Sequence, residues 1–489
     1  MLKKAPPLRR GFLWLLPAVS GAQVFHGKMT LRPAENLSTR KNRFVNHATG
    51  TGGIVTRAIF GLMTLIGMSG CIYSSPSVNA SLSDVVAFVG GHVFDGTEFV
   101  QREICVSERE IVPCPDEPAR QVSIEGVFIT PPFGDAHTHH FDGSYTLAWH
   151  TDLGIRSGAF YAMTMTARGS QVAMIRDQLR GPGNIDVSSS VGAFTGPDSH
   201  PIEIYEAIAL GAFTFEDQLA RADEIRSSSL VANDAYFIVE TEDDVRKKWP
   251  LLLASEPDHI KVYLRFSERY DEGFGKWGPG GGIDSRLLPI IRKLSRDAGL
   301  RMAVASSSIE DFRASLRAQA DMITHLPCYQ DTSSEESGPY FYIKTAEECL
   351  VSHDDARRAA RQNMISTLIV TEWAKERPAE LVEWEKASIS ALKEAGAPFA
   401  VGVNAYGETL TGGMIAGVDK GFLSSVELLR IASMDTPRAI FPARRIGCLE
   451  VGCEASFIGF DGNPIEDIAA IRSIKLRFKD GQMLELPES

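Results

Sequence analysis

His137 and His139 stand two residues apart in Asp135-Ala136-His137-Thr138-His139, just past the apolar run Val127-Phe128-Ile129-Thr130 and the turn Pro131-Pro132. Alternate residues of an extended segment point to the same side, so both imidazoles face one way. Two neutral imidazoles on one side are half of a metal site. At the C-terminal end of a barrel strand, that side would be the mouth, where active sites lie. A second unusual residue is Lys261, inside the apolar stretch His259-Ile260-Lys261-Val262-Tyr263-Leu264. A lysine there is costly unless it is neutralised or paired.

The elements around these residues fall into three textures. From Asp84 to about Pro132, short β runs (85–89, 103–106, 110–112, 122–124 and 127–130) alternate with Gly and Asp turns, which predicts part of a small sheet. From about 133 to 444, β runs at 260–264, 300–304, 322–324, 365–370 and 399–403 alternate with helical stretches at 202–210, 215–227, 287–297, 309–318, 380–395 and 426–432. That alternation predicts a parallel sheet, and its length suits an α/β fold of the (β/α)₈ TIM-barrel type. The segment Tyr406 to Gly417 reads as a Gly-rich loop, and the helix after it offers a face for a second copy in a homo-oligomer. From 445 to 489 the β texture returns, at 455–460 and 474–478, and completes the small β-sandwich domain begun by 84–132.

Residues 1–83 read as export signals and a tether. Arg9-Arg10-Gly11-Phe12-Leu13 resembles a twin-arginine motif, which would give a soluble periplasmic protein. The apolar run from Arg57 to Gly70 ends in Met68-Ser69-Gly70-Cys71, a lipobox that would lipidate Cys71. The second signal is the preferred one. It makes 1–54 an over-extended start and places the protein on the periplasmic face of a bacterial membrane, touching the bilayer through the lipid anchor only. Six further cysteines remain, an even number that permits disulfides in an exported chain, with Cys105–Cys114 and Cys448–Cys453 each able to close a short loop. Of 489 residues, 44% are hydrophobic and 23% charged, with a formal net charge of -12, which argues against nucleic acid as a partner and leaves a small-molecule substrate.

Pro131 to His140 resembles the first metal motif of the amidohydrolase superfamily, in its imidazolonepropionase-like and prolidase-like branch. Asp95-Gly96 is similar to the start of that superfamily's small domain, and Leu449 to Phe457 with Gly462-Asn463-Pro464 is similar to its closing motif. The resemblance implies metal ligands at His137, His139, His325 and Lys261, with Lys261 carboxylated, and a zinc or other divalent ion. It also implies a substrate contact from His200, in Gly196-Pro197-Asp198-Ser199-His200-Pro201, while Tyr263, Arg265 and Tyr406 are candidates to line the pocket, although aromatics at a barrel mouth more often pack. His200 can equally cap the helix at Ile202, and Lys261 can equally form a salt bridge in the barrel mouth.

Two positions depart from that pattern. The fifth-strand histidine is replaced by Ala305, and the eighth-strand aspartate by Asn404. Asn can ligate through its carbonyl oxygen but cannot act as a base at neutral pH, and Ala offers no donor. The expectation is therefore one metal ion rather than two. The expected activity is hydrolysis of a carbon–nitrogen bond in a non-peptide amide, cyclic amide or dipeptide-like substrate by metal-activated water, with impaired or altered catalysis. Asn404 and Lys261 carry the catalytic question, and His140, Asp142 and Glu408 are substitute bases near the motifs. The alternative is a catalytically inactive, lipid-anchored binding protein that keeps the old pocket.

Overall fold

The computed structural model describes residues 85–269, 282–329 and 345–486. Cys71, both export signals and the tether lie outside the described residues. Among the described residues, no helix is long and apolar enough to cross a membrane.

Strands β1 (Phe133–Thr138), β2 (Ala159–Ala167) and β3 (Asp186–Val191, continued by Ala193–Thr195) run parallel and adjacent. The continuation of β3 pairs with β4 (His259–Tyr263), and parallel pairing then carries through β5 (Arg301–Ala305), β6 (Met322–Ile323), β7 (Ile365–Ile369) and β8 (Phe399–Gly402). The ring closes where the backbone N–H groups of Val403 and Asn404 donate to the carbonyl of His137, at 3.1 and 2.8 Å. This is the (β/α)₈ architecture expected. At the seam a Cβ on Gly402 would stand 2.5 Å from the Cβ of His137, so only glycine lets β8 approach the histidine motif.

The small sheets join the two ends of the chain. One has four strands, Glu110–Val112, Ile104–Ser107, Val86–Val89 and Arg120–Ser123 in spatial order. The other has six and mixes N- and C-terminal strands: Phe457–Phe460 lies antiparallel to Phe128–Thr130, the strand that leads directly into β1. Phe88, Phe457 and Phe478 form the aromatic centre between the sheets, with ring centroids 4.7 to 5.1 Å apart. The entry of β1 is thereby fixed by residues more than three hundred positions downstream.

Disulfides join Cys105 to Cys114, Cys328 to Cys349 and Cys448 to Cys453. The first and last close the two short loops anticipated from spacing. The middle one ties the segment after β6 to the start of the next helical region.

Three elements differ from the sequence expectation. The stretch 406–417 is not simply a loop, because Leu410–Asp419 is a helix. Its glycines are packing devices: side chains at Gly413 and Gly417 would collide with the Val370 carbonyl and the Trp373 ring. The stretch 215–227 is two helices, Phe215–Ala220 and Ala222–Ser227, broken at Arg221, whose guanidinium bonds the Leu210 carbonyl and Glu224. Strands β2 and β3 carry no pure apolar signal. Thr164, Thr166 and Ser188 to Ser190 are fully buried polar residues in them, which hides the strands from a reading based on hydrophobicity.

Candidate functional site

Strand ends bring His137, His139, Lys261, His325 and Asn404 to the C-terminal mouth of the barrel. Asp135 sets the histidine motif: its Oδ1 accepts from the backbone N–H of His137 at 3.0 Å and of Val403 at 3.1 Å. Burial raises the Asp135 carboxyl to about 7, against those two hydrogen bonds. His137 is buried, and its Nδ1–H donates to the Thr324 carbonyl at 2.7 Å, which leaves Nε2 as a lone-pair donor. His139 Nε2 lies 3.3 Å from Asn404 Oδ1. Asn404 holds a left-handed backbone, φ 50°, which asparagine tolerates better than most residues.

Thr324 is the hub between strands. Its carbonyl takes His137, and its hydroxyl accepts from Lys261 Nζ at 2.8 Å. Next to it, His325 stacks on Tyr329 at 3.9 Å and lies 5.9 Å from the His137 ring. Among the described residues its buried Nδ1 has no hydrogen-bond partner, so this imidazole holds a coordination-capable nitrogen. Lys261 is 1% exposed, and among the described residues no carboxylate lies within ion-pairing distance. Burial pushes its amine well below the ordinary lysine range and so favours the neutral form. Burial and the neighbouring Lys261 hold His139 down to about 3, and the same two causes depress His137 and His325.

The β5 side of the mouth is different. Across the β4–β5 ladder Lys261 faces Ala303, and Tyr263 faces Ala305. Tyr263 packs with Ala193 and Ala305 in a small apolar cluster, and its hydroxyl bonds Thr166 Oγ1 at 2.7 Å. The place of the missing fifth-strand histidine is thus occupied by packed side chains. His200 meets Tyr263 edge to face at 4.9 Å, and its Nδ1–H donates to Glu203 at 2.6 Å, with Arg265 3.7 Å from the same carboxylate. Tyr406 takes another direction. It bonds Thr146 at 3.1 Å and packs against His150 at 4.7 Å, beside the stacked pair His140–His150.

His137, His139 and Asn404 are the side chains at the mouth that could hold a divalent ion. His137 Nε2, His139 Nε2 and Asn404 Oδ1 are neutral donors on one side, and the 3.3 Å between the last two is the spacing of neighbouring ligands around a tetrahedral ion with bonds of about 2.0–2.1 Å. The three imidazoles do not by themselves converge within 4.8 Å, and no carboxylate joins them; among the described residues such clusters occur only at Glu103–Cys105–Cys114 and Cys448–Glu450–Cys453, whose sulfurs are in disulfides.

Thr324, Tyr329, Glu203 and Thr166 were not singled out from the sequence. Thr324 and Tyr329 flank His325 within five residues, and Glu203 follows His200 by three, so adjacency to a candidate histidine was the available signal. Thr166 had none.

Solved structures share this fold. A Xaa-Pro dipeptidase with methionine bound in its active site matches with a TM-score of 0.59 at 14% identity, over 82% of this chain and 100% of that one. Ochratoxinase from A. niger matches with 0.61 at 15%, over 82% and 95%. An amidohydrolase matches with 0.58 at 16%, over 82% and 98%. No family model matches the sequence, and no curated protein does either.

Proposed function

We propose that this chain, which has the fold of the amidohydrolase superfamily, is a hydrolase of carbon–nitrogen bonds that works with one divalent ion and an altered proton-transfer apparatus. The observation that carries the reading is the convergence of His137 and Lys261 on Thr324, with His139 against Asn404, at the barrel mouth. His137, His139 and Asn404 would hold a zinc or similar ion, whose contribution is Lewis-acid polarisation of an amide carbonyl. Lys261 stands beside them as a neutral amine or, carboxylated, as a further ligand. The dipeptidase and amidohydrolase with this fold support an amide or dipeptide-like small molecule as substrate.

Asn404 cannot accept a proton from water, so another group has to. His200 has the required wiring: Glu203 accepts from Nδ1–H, orients the ring and leaves the Nε2 lone pair for a proton. Burial lowers its pKa while Glu203 opposes the shift. Tyr263 positions the ring, and Arg265 holds Glu203. Tyr406 shapes the rim of the pocket from the His150 side.

A second reading rests on Ala305. With Tyr263 and Ala193 packed on it and, among the described residues, no carboxylate joining the imidazoles of His137, His139 and His325, the pocket suits a protein that binds an amide ligand without cleaving it. Metal analysis of the purified chain, with turnover of dipeptides and N-acyl amides, separates the two. The hydrolase reading expects about one zinc per chain and turnover that rises about 10²- to 10⁴-fold in Asn404→Asp, the usual worth of a positioned base. Metal-free protein that binds these ligands and turns none over, in both forms, overturns it in favour of the second reading.

The chain is further proposed to be exported and held at the periplasmic membrane face by lipid on Cys71. Three disulfides support an oxidising compartment.

A further inference from the structure

The opposite end of the barrel holds an open cavity of about 250 Å³. Arg180, Ser188, Asp258, His259, Arg301 and Arg444 supply its polar lining. His259 and Arg301 are the first residues of β4 and β5 and face each other in the ladder, so the cavity lies at the N-terminal floor of the barrel, under Lys261 on the same strand face.

The lining carries three arginines against one carboxylate, Asp258, and Asp321 acts on Arg301 from outside it. Arg444 is compensated by Asp186 and Glu454, but Arg180 and Arg301 make no ion pair among the described residues. Arg301, partly buried, gives one N–H to the Ala439 carbonyl and keeps the remaining guanidinium donors. Asp258 is exposed and accepts the backbone N–H of Ser189 at 2.8 Å. His259 is 2% exposed, with Nδ1 3.1 Å from the Ser188 hydroxyl and Nε2 buried without a partner. In the tautomer in which the Ser188 hydroxyl donates to Nδ1, Nε2 carries a hydrogen that meets no acceptor among the described residues. Buried polar groups are almost always satisfied, so a donor left open beside guanidinium groups that make no ion pair among the described residues calls for an acceptor from outside.

We propose that this floor cavity binds a small oxyanion, a phosphate- or carboxylate-bearing molecule, through Arg180, Arg301 and the Nε2–H of His259. The site stands apart from the mouth and does not depend on catalysis there. Forked guanidinium donors match the oxygen pairs of both anion types, and a neutral ligand would leave them unanswered.

The test is calorimetric titration of the full chain with inorganic phosphate and, separately, with acetate, at ionic strength held constant with chloride. The expected result is saturable binding of one anion per chain, weakened at least about tenfold in Arg180→Glu and in Arg301→Gln, and unchanged in Arg286→Glu, an exposed arginine outside the cavity. Arg180 is exposed, so its variant folds even where Arg301→Gln does not. Tighter phosphate assigns a phosphorylated ligand, and tighter acetate a carboxylate. No saturable binding of either anion, or binding that Arg180→Glu leaves unchanged, overturns the proposal.

Discussion

The two halves of the barrel mouth have diverged in opposite senses. On the β1–β6–β8 side, His137, His139, Asn404, Thr324 and His325 remain a linked polar array, with a lone pair at His137 Nε2 and an open Nδ1 on His325. On the β4–β5 side, Tyr263 lies on Ala305 and Ala193 and fills the space with an apolar contact and a buried hydroxyl bond. Side chains that ligate and side chains that pack make incompatible demands: the first need unsatisfied donors and room, the second need complete contact. The difference teaches that a position with no donor atom need not leave a gap in a barrel mouth, because a neighbouring aromatic can close it.

Substitutions can break this contrast. The largest effect is expected from His137→Ala, which removes a proposed ligand and the bond to Thr324; bound zinc measured by mass spectrometry should fall from about one per chain to near zero, since ligands of one ion act together. Retained metal would place the ion elsewhere. Ala305→His tests the packed half. The imidazole has to displace Tyr263, and denaturant unfolding should show a loss of about 1–3 kcal/mol with no second ion bound. A stable variant with two ions would mean that the Tyr263 side is adaptable rather than closed. The smallest effect belongs to Tyr263→Phe, which keeps the packing and deletes the bond to Thr166. Its unfolding free energy should drop by about 1 kcal/mol, and metal content should stay the same.

The barrel was legible because β4, β5, β7 and β8 are apolar runs separated by amphipathic helices. β2 and β3 were not, since they bury the polar side chains Thr164, Thr166 and Ser188, and the partners of the last two, Tyr263 and His259, are supplied only by the folded ring. Similarly, the helix Leu410–Asp419 was hidden by glycines that exist for contact with Val370 and Trp373.

The sequence by itself determined the histidine pair and the (β/α)₈ architecture, and it put Ala305 and Asn404 where the family resemblance expects a histidine and an aspartate, because residue type and spacing along a strand are local properties. It could not say what fills the space that those absences leave. Only the tertiary structure decided that Tyr263 rests on Ala305, that Thr324 links His137 to Lys261, and that arginines from distant segments meet His259 beneath them. Each is a contact between residues far apart in the chain, fixed by barrel closure and register rather than by any residue's own preference.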